Sequence, residues 1–299
     1  MLKLILIVTF CAPDLGAMER AYTNVLQYEV VDRGKVSSDL AQEWAAPKMR
    51  GHRYILLRPK SQANIYLRAV QEDAIEDYRP MSTYGWNATE ILVQDPDALA
   101  RRIREAGSGF QVVGEPRPLG PNSLIRALQA VGPAREVLYL TRIPPDSPTL
   151  RSARTFVDRP FILILGSSDL PRTRQFLRER FNLDSGEPGQ ARMTVLNKAF
   201  GLDIETTHPL TVARLSPDYS LELDQYPQSA RERPQHPGAL PPAQAIVSFE
   251  VDSLNPFRDL LLAPPRRIEA RPYDGRLAGT LRGSAGELME LIETAPRAH

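Results

Sequence analysis

The 299-residue chain has a single cysteine, Cys11, so it can form neither an internal disulfide nor a cysteine-based zinc site. That scarcity fits a reducing, cytoplasmic compartment and an inert buried thiol. Its four histidines, His52, His208, His236 and His299, are scattered, and no spacing among them resembles a metal site. His236 and His299 are expected to be exposed, whereas His52 and His208 precede strands. The formal net charge is only +1, without the basic excess that a nucleic-acid partner would need. Arginine-dense pieces such as RRIRE and RTRQFLRERF read as solvated helix faces, because acids are interspersed along them. No apolar run approaches the ~20 residues of a membrane span, and there is no glycine-rich phosphate loop and no serine nucleophile elbow. Asn87-Ala88-Thr89 matches a glycosylation sequon but falls inside an expected strand.

What the chain does have is repetition. The N-terminal LILIVTFCAPDL (Leu4–Leu15) has the layout of FILILGSSDL (Phe161–Leu170), deep in the chain, and therefore reads as a first strand rather than a cleaved leader. NATEILVQDPDAL and AIVSFEVDSL repeat the pattern: an apolar strand, an Asp-containing turn, then an amphipathic helix. The helices are expected to bury Leu15, Met18, Tyr22, Val25 and Leu26; Leu99 and Ile103; Leu170, Leu177 and Phe181; and, in NPFRDLLLAP, Leu254, Phe257, Leu260 and Leu261. Short strands follow each helix, among them RYILLRP, NIYLRAV, EVLYLTR, MTVLNKAF, SLELDQY and ELMELIE. Residues Lys35 to His52 read as an excursion with a short helix at DLAQEWA.

Each repeat is thus a βαβββ unit, and paired units can bury their sheet faces by curling around a cup. The expected fold is α+β: four tandem units forming two domains with cupped mixed sheets. Residues 1–143 hold the first pair, the proline-rich 144–159 a linker, and 160–299 the second pair. A second proline-rich run, Gln225–Gln244, joins units three and four.

This layout resembles the vicinal oxygen chelate superfamily, which includes glyoxalase I, the bleomycin- and fosfomycin-resistance proteins and the extradiol dioxygenases. The resemblance covers nearly the whole chain and rests on AIVSFEVDSL, WNATEILVQDPDAL and SAGELMELIE. It implies metal-ligand positions on the first and last strands of each unit. On the first strands these fall at Ile7, Ala88, Ile162 and Ile246, none of which can coordinate a metal. On the last strands they fall at Tyr66, Tyr139, Glu222 and Glu290. Ring-cleaving iron chemistry would need two histidines beside the glutamate. Intact dioxygenase or glyoxalase activity is therefore not expected, and no cofactor is predicted. The alternative is a divalent Fe, Mn or Mg held through Glu290.

With units paired in chain order, Glu222 and Glu290 are expected to face each other as catalytic proton-transfer groups. Tyr66, Arg68, Trp86, Glu90 and Tyr139 are expected to line the other cup as ligand-binding residues, with Arg68 available to pair with Glu90. The predicted partner is a small organic molecule, aromatic rings being among those the pocket suits, with no nucleic acid and no membrane; a homodimer is compatible with this layout. The functional expectation is a metal-independent lyase or isomerase, or a degenerate ring-cleavage-type enzyme. The alternative is a non-catalytic protein that sequesters a small molecule.

Overall fold

The computed structural model describes residues 1–120, 123–148 and 150–294, so His299 lies outside the described residues. Unit one runs β1 (Ile5–Ala12), α1 (Leu15–Arg20), β2 (Glu29–Lys35), α2 (Ser38–Glu43), β3 (Arg53–Arg58) and β4 (Tyr66–Gln71). Unit two runs β5 (Gly85–Val93), α3 (Pro96–Ile103), β6 (Gln111–Pro118), β7 (Arg126–Val131) and β8 (Val137–Arg142). Unit three runs β9 (Val157–Ser167), α4 (Leu170–Phe181), β10 (Gly189–Arg192), α5 (Thr194–Phe200), β11 (Thr207–Ser216) and β12 (Tyr219–Gln225). Unit four runs β13 (Ala243–Val251), β14 (Arg266–Ile268), β15 (Arg276–Arg282) and β16 (Leu288–Glu293). Among the described residues, no helix is long and apolar enough to cross a membrane.

The repeated aspartate is a helix N-cap. Asp14, Asp95 and Asp169 accept from the backbone N–H groups of Ala17, Ala98 and Arg172 at 3.0, 2.9 and 2.9 Å. Each satisfies an otherwise orphaned donor, an interaction worth about 1 kcal/mol. Two expected elements differ. The fourth unit has only a single 3-10 turn, Asn255–Phe257, where a helix was predicted. Pro256 opens it and Pro264-Pro265 closes the run. MTVLNKAF, predicted as a strand, is the helix α5. Its apolar residues Val195, Leu196, Ala199 and Phe200 follow the helical period, not alternation.

The strands form two eight-stranded sheets, ordered β14-β15-β16-β13-β1-β4-β3-β2 and β10-β11-β12-β9-β5-β8-β7-β6. This corrects the expected pairing of units: one joins four, and two joins three, through the antiparallel central pairs β1/β13 and β5/β9. Connection length does not decide this: residues 143–156 link β8 to β9 within one sheet, while segments 72–84 and 226–242, of similar length, cross between sheets. The pairing is set instead where apolar first strands lie side by side, Val8 opposite Val247 and Ala88 opposite Ile164. Those two crossings run side by side, with Tyr84 N–H bonded to Arg231 O at 2.9 Å.

Between the sheets lies the main core, built from Val8, Phe10, Trp86, Leu163, Leu165, Val247, Phe249, Met289 and Leu291 together with α1, α3 and α4. The opposite face of each sheet curls around a cup, one made by the outer units (one and four), the other by the inner units (two and three).

The two hairpins GPARE (Gly132–Glu136) and GSAGE (Gly283–Glu287) share a buried glutamate for a local reason. Glu136 Oε2 accepts from Ala134 N–H and Glu287 Oε2 from Ala285 N–H, both at 2.8 Å. A Cβ on Gly132 or Gly283 would lie 1.9 Å from the Oε1 of Glu136 or Glu287. Gly283→Ala is therefore expected to cost about 1–3 kcal/mol through overpacking, read as a lowered denaturant midpoint at unchanged slope.

Candidate functional site

The outer-unit cup is filled from within. The excursion after β2 folds inward, burying Leu40, Ala41, Trp44 and Met49 against Ile7, Tyr66 and Ile246 of the sheet. At its centre Glu290, with no exposed surface, accepts from Trp44 Nε1–H at 2.9 Å and Tyr273 O–H at 2.7 Å on Oε1, and from Ser248 O–H on Oε2. Arg68 is equally enclosed. Its Nη2 lies 3.9 Å from Glu290 Oε2, it donates to Thr9 Oγ1 and Tyr273 Oη, and its guanidinium sits 4.6 Å from the Trp44 ring. Glu43 Oε1 accepts from Thr280 O–H at 2.7 Å, while its Oε2 has no hydrogen-bond partner among the described residues. Burial and then the Glu290 charge push the Glu43 carboxyl well up, so it remains the neutral acid of the pair.

Several sequence expectations are corrected by this arrangement. Glu290 does not face Glu222, because β16 and β12 belong to different sheets. Nor does Arg68 serve Glu90: it answers the charge of Glu290. Tyr66 keeps its place beside Arg68 on the concave face, but packs in the filled cup under Arg58, whose guanidinium is 5.6 Å from the ring. The alternative of a metal through Glu290 does not fit either, since hydrogen-bond donors occupy both its oxygens and a guanidinium adjoins it.

The inner-unit cup retains a cavity of about 190 Å³. Parallel pairing sets Glu90 beside Tyr139 and Ile164 beside Glu222, so these four positions meet across the β5/β9 centre. Along β12, Leu221 and Leu223 enter the inter-sheet core, while Glu222 and Asp224 alternate to the cavity side. The helix α5 roofs part of the cup with Leu196 and Phe200. It is held by His208 Nε2, 2.7 Å from Asn197 Oδ1, and by Asn197 Nδ2–H donating to Ile204 O and Thr206 O.

Three carboxyls thus share one small hollow. Burial first, then the charge of Glu222, pushes Glu90 up to about 8, against the opposing hydrogen bond from Thr141 O–H at 2.6 Å. Burial raises Glu222 to about 7. Asp224 is pushed well above the usual range by burial and then by Glu222. Tyr139 is raised strongly by burial and by all three acids, and stays protonated as a donor. Groups with these ionisations can give and take protons near neutrality.

Trp86 does not reach this cup. A register shift between Trp86 and Ala88 turns its side chain to the inter-sheet core, where its ring is 6.2 Å from Phe249 and its Nε1–H donates to Leu288 O at 2.8 Å. The sequon Asn87 is buried, with its amide donating to Thr83 O and Gly85 O. Sequence reasoning missed Asp224, although strict alternation from Glu222 in SLELDQ places it on the same face. It also missed Glu43, Trp44 and Tyr273, whose roles depend on how two loops fold into the outer-unit cup; no local pattern announces them. Among the described residues, no three His, Cys, Asp or Glu side chains converge as a metal site.

The architecture matches known structures over almost its full length. The chain is similar to glyoxalase I from Zea mays, with a TM-score of 0.64 at 14% identity over 97% of this chain and 92% of that one. It is also similar to a putative dioxygenase from Bacillus subtilis subsp. subtilis str. 168, with a TM-score of 0.63 at 12% identity over 99% and 86%. No protein-family model and no curated protein matches the chain. The likeness shows the fold: it is glyoxalase-like, in a two-sheet form whose outer-unit cup is filled and whose inner-unit cup is lined by acids.

Proposed function

We propose that this protein performs acid–base chemistry of the lyase or isomerase class on a small organic molecule in the inner-unit cup, with Glu90 and Glu222 transferring the proton. The observation that carries this reading is the convergence of Glu90, Glu222, Asp224 and protonated Tyr139 on one cavity. Glu90, raised to about 8, is mostly the acid at pH 7, and Glu222, raised to about 7, is divided between acid and base. Tyr139 is a donor suited to hold a substrate oxygen. Glu290, the other acid expected from sequence, takes no part, because its oxygens are committed inside the filled cup. The proposed proton transfer uses only this chain's own carboxyls and Tyr139.

The reading is tested by incubating the protein in D2O with a panel of small hydroxy, keto and amino compounds and following C–H exchange by proton NMR. Wild-type protein should catalyse exchange in at least one compound, and Glu222→Gln should lower that rate by about 10²–10⁴-fold. Unaltered exchange in Glu222→Gln and Glu90→Gln would refute the assignment. Ligand-induced thermal stabilisation with no chemical change would instead assign the cup to sequestration.

A further inference from the structure

We infer that the inner-unit cup selects a small organic cation, a protonated amine of a few carbon atoms, with Glu222 and Asp224 as its anchoring carboxylates. This rests on the proposal that the inner-unit cup is the functional site, and it names the ligand that the site takes. The argument begins with Asp224. Its side chain is 1% exposed, it lines the cavity, and its Oδ1 has no hydrogen-bond partner among the described residues. The other unpartnered buried side-chain atoms among the described residues, on Glu43, Glu72, Asn87, Gln244, Arg266 and Glu287, lie outside this cup. A buried carboxylate oxygen left without a donor is costly, by about 1–3 kcal/mol or more when charged, unless a ligand supplies the donor.

Charge points the same way. Three carboxyls line the hollow together with two arginines: Arg192, exposed, pairs with Glu205 at 2.6 Å, and Arg117, half-buried, donates to Thr194 Oγ1. Among the described residues, no ion pair joins either arginine to Glu90, Glu222 or Asp224. An ammonium group offers the donors that Asp224 and Glu222 lack, while the Tyr139 ring and Met193 thioether form a soft wall suited to its alkyl part. Size restricts the ligand further, since about 190 Å³ falls below the ~300–1,000 Å³ of pockets that take drug-sized molecules.

Calorimetry and thermal shift on the full-length protein test this with propylamine and ethanolamine, against the neutral propanol and propionamide and the anionic propionate. The amines should bind and raise the melting temperature, and the neutral and anionic probes should not. Asp224→Asn and Glu222→Gln should each weaken amine binding by at least about tenfold, the loss of one charge-assisted hydrogen bond, while Glu19→Gln on the helix α1 leaves it unchanged. Asp224→Asn removes an unpaired buried acid, so it is expected to fold at least as stably as wild type. Neutral or anionic probes that bind better than amines, and lose affinity in Tyr139→Leu, would overturn the cation assignment yet keep the cup as the site. Binding by no probe, or binding indifferent to every cup substitution, would overturn the cation assignment and count against the cup itself.

Discussion

Glu290→Gln is expected to lower the melting temperature by on the order of 10 °C, the reverse of what a catalytic acid in an open cup would show. The substitution keeps the shape but removes the charge that answers Arg68, which is enclosed beneath Trp44 and Tyr273. Breaking one side of a buried ion pair costs about 3–5 kcal/mol, because the remaining ion has neither water nor a counter-charge. In a chain of this size each kcal/mol moves the midpoint by roughly 2–4 °C. Removing both charges, as Arg68→Met with Glu290→Gln, should recover much of the loss, so the two effects will not add. Calorimetric unfolding of the two single variants and the double variant checks this. A midpoint for Glu290→Gln within 2–3 °C of wild type, on the same scale, would mean that the outer-unit cup is not the sealed structural core described here.

The acids of the inner-unit cup should behave in the opposite sense. Both folded-state values, about 8 for Glu90 and about 7 for Glu222, lie above the usual 4.5. Raised acids bind protons more tightly in the native state, so their contribution favours folding fully at low pH. It is lost as pH rises from the unfolded value through the folded one. The wild-type protein should therefore lose stability between about pH 5 and 8 on account of these groups. Glu90→Gln cannot ionise, and is expected to be more stable than wild type at pH 8 by on the order of 2–4 kcal/mol, with little difference at pH 4.5. Glu136 and Glu287, each raised to about 7 by burial, keep a residual slope in the variant. Denaturant unfolding at pH 5, 6.5 and 8 measures the difference. Parallel pH profiles for wild type and variant would show that Glu90 titrates as an ordinary exposed acid. Joined to loss of exchange activity, the expected gain in stability would mark Glu90 as held in place for function rather than folding.

Much of the fold was legible in the sequence because its signals are local. Asp14, Asp95 and Asp169 cap helices through contacts three residues away, and alternation along SLELDQ and ELMELIE assigns core and cup faces without reference to any partner. The same locality explains the failures in the candidate site. Four similar units read alike whether they pair in chain order or with the outer two together, so Tyr66 and Tyr139, and likewise Glu222 and Glu290, were assigned to shared cups although they lie in different sheets. A one-residue register shift carried Trp86 to the other face of β5, which period-two reasoning cannot foresee.

By itself the sequence determined the repeated strand pattern, the helix starts at Asp14, Asp95 and Asp169, and the apolar strand faces, since each follows from chemistry within a few residues. Tertiary structure alone decided which acid is buried scaffold and which meets a cavity. That choice depends on the folding of residues 36–49 and 266–275 into one cup and not the other, and therefore on contacts between segments more than 200 positions apart, such as Trp44 with Glu290 and Arg68 with Tyr273.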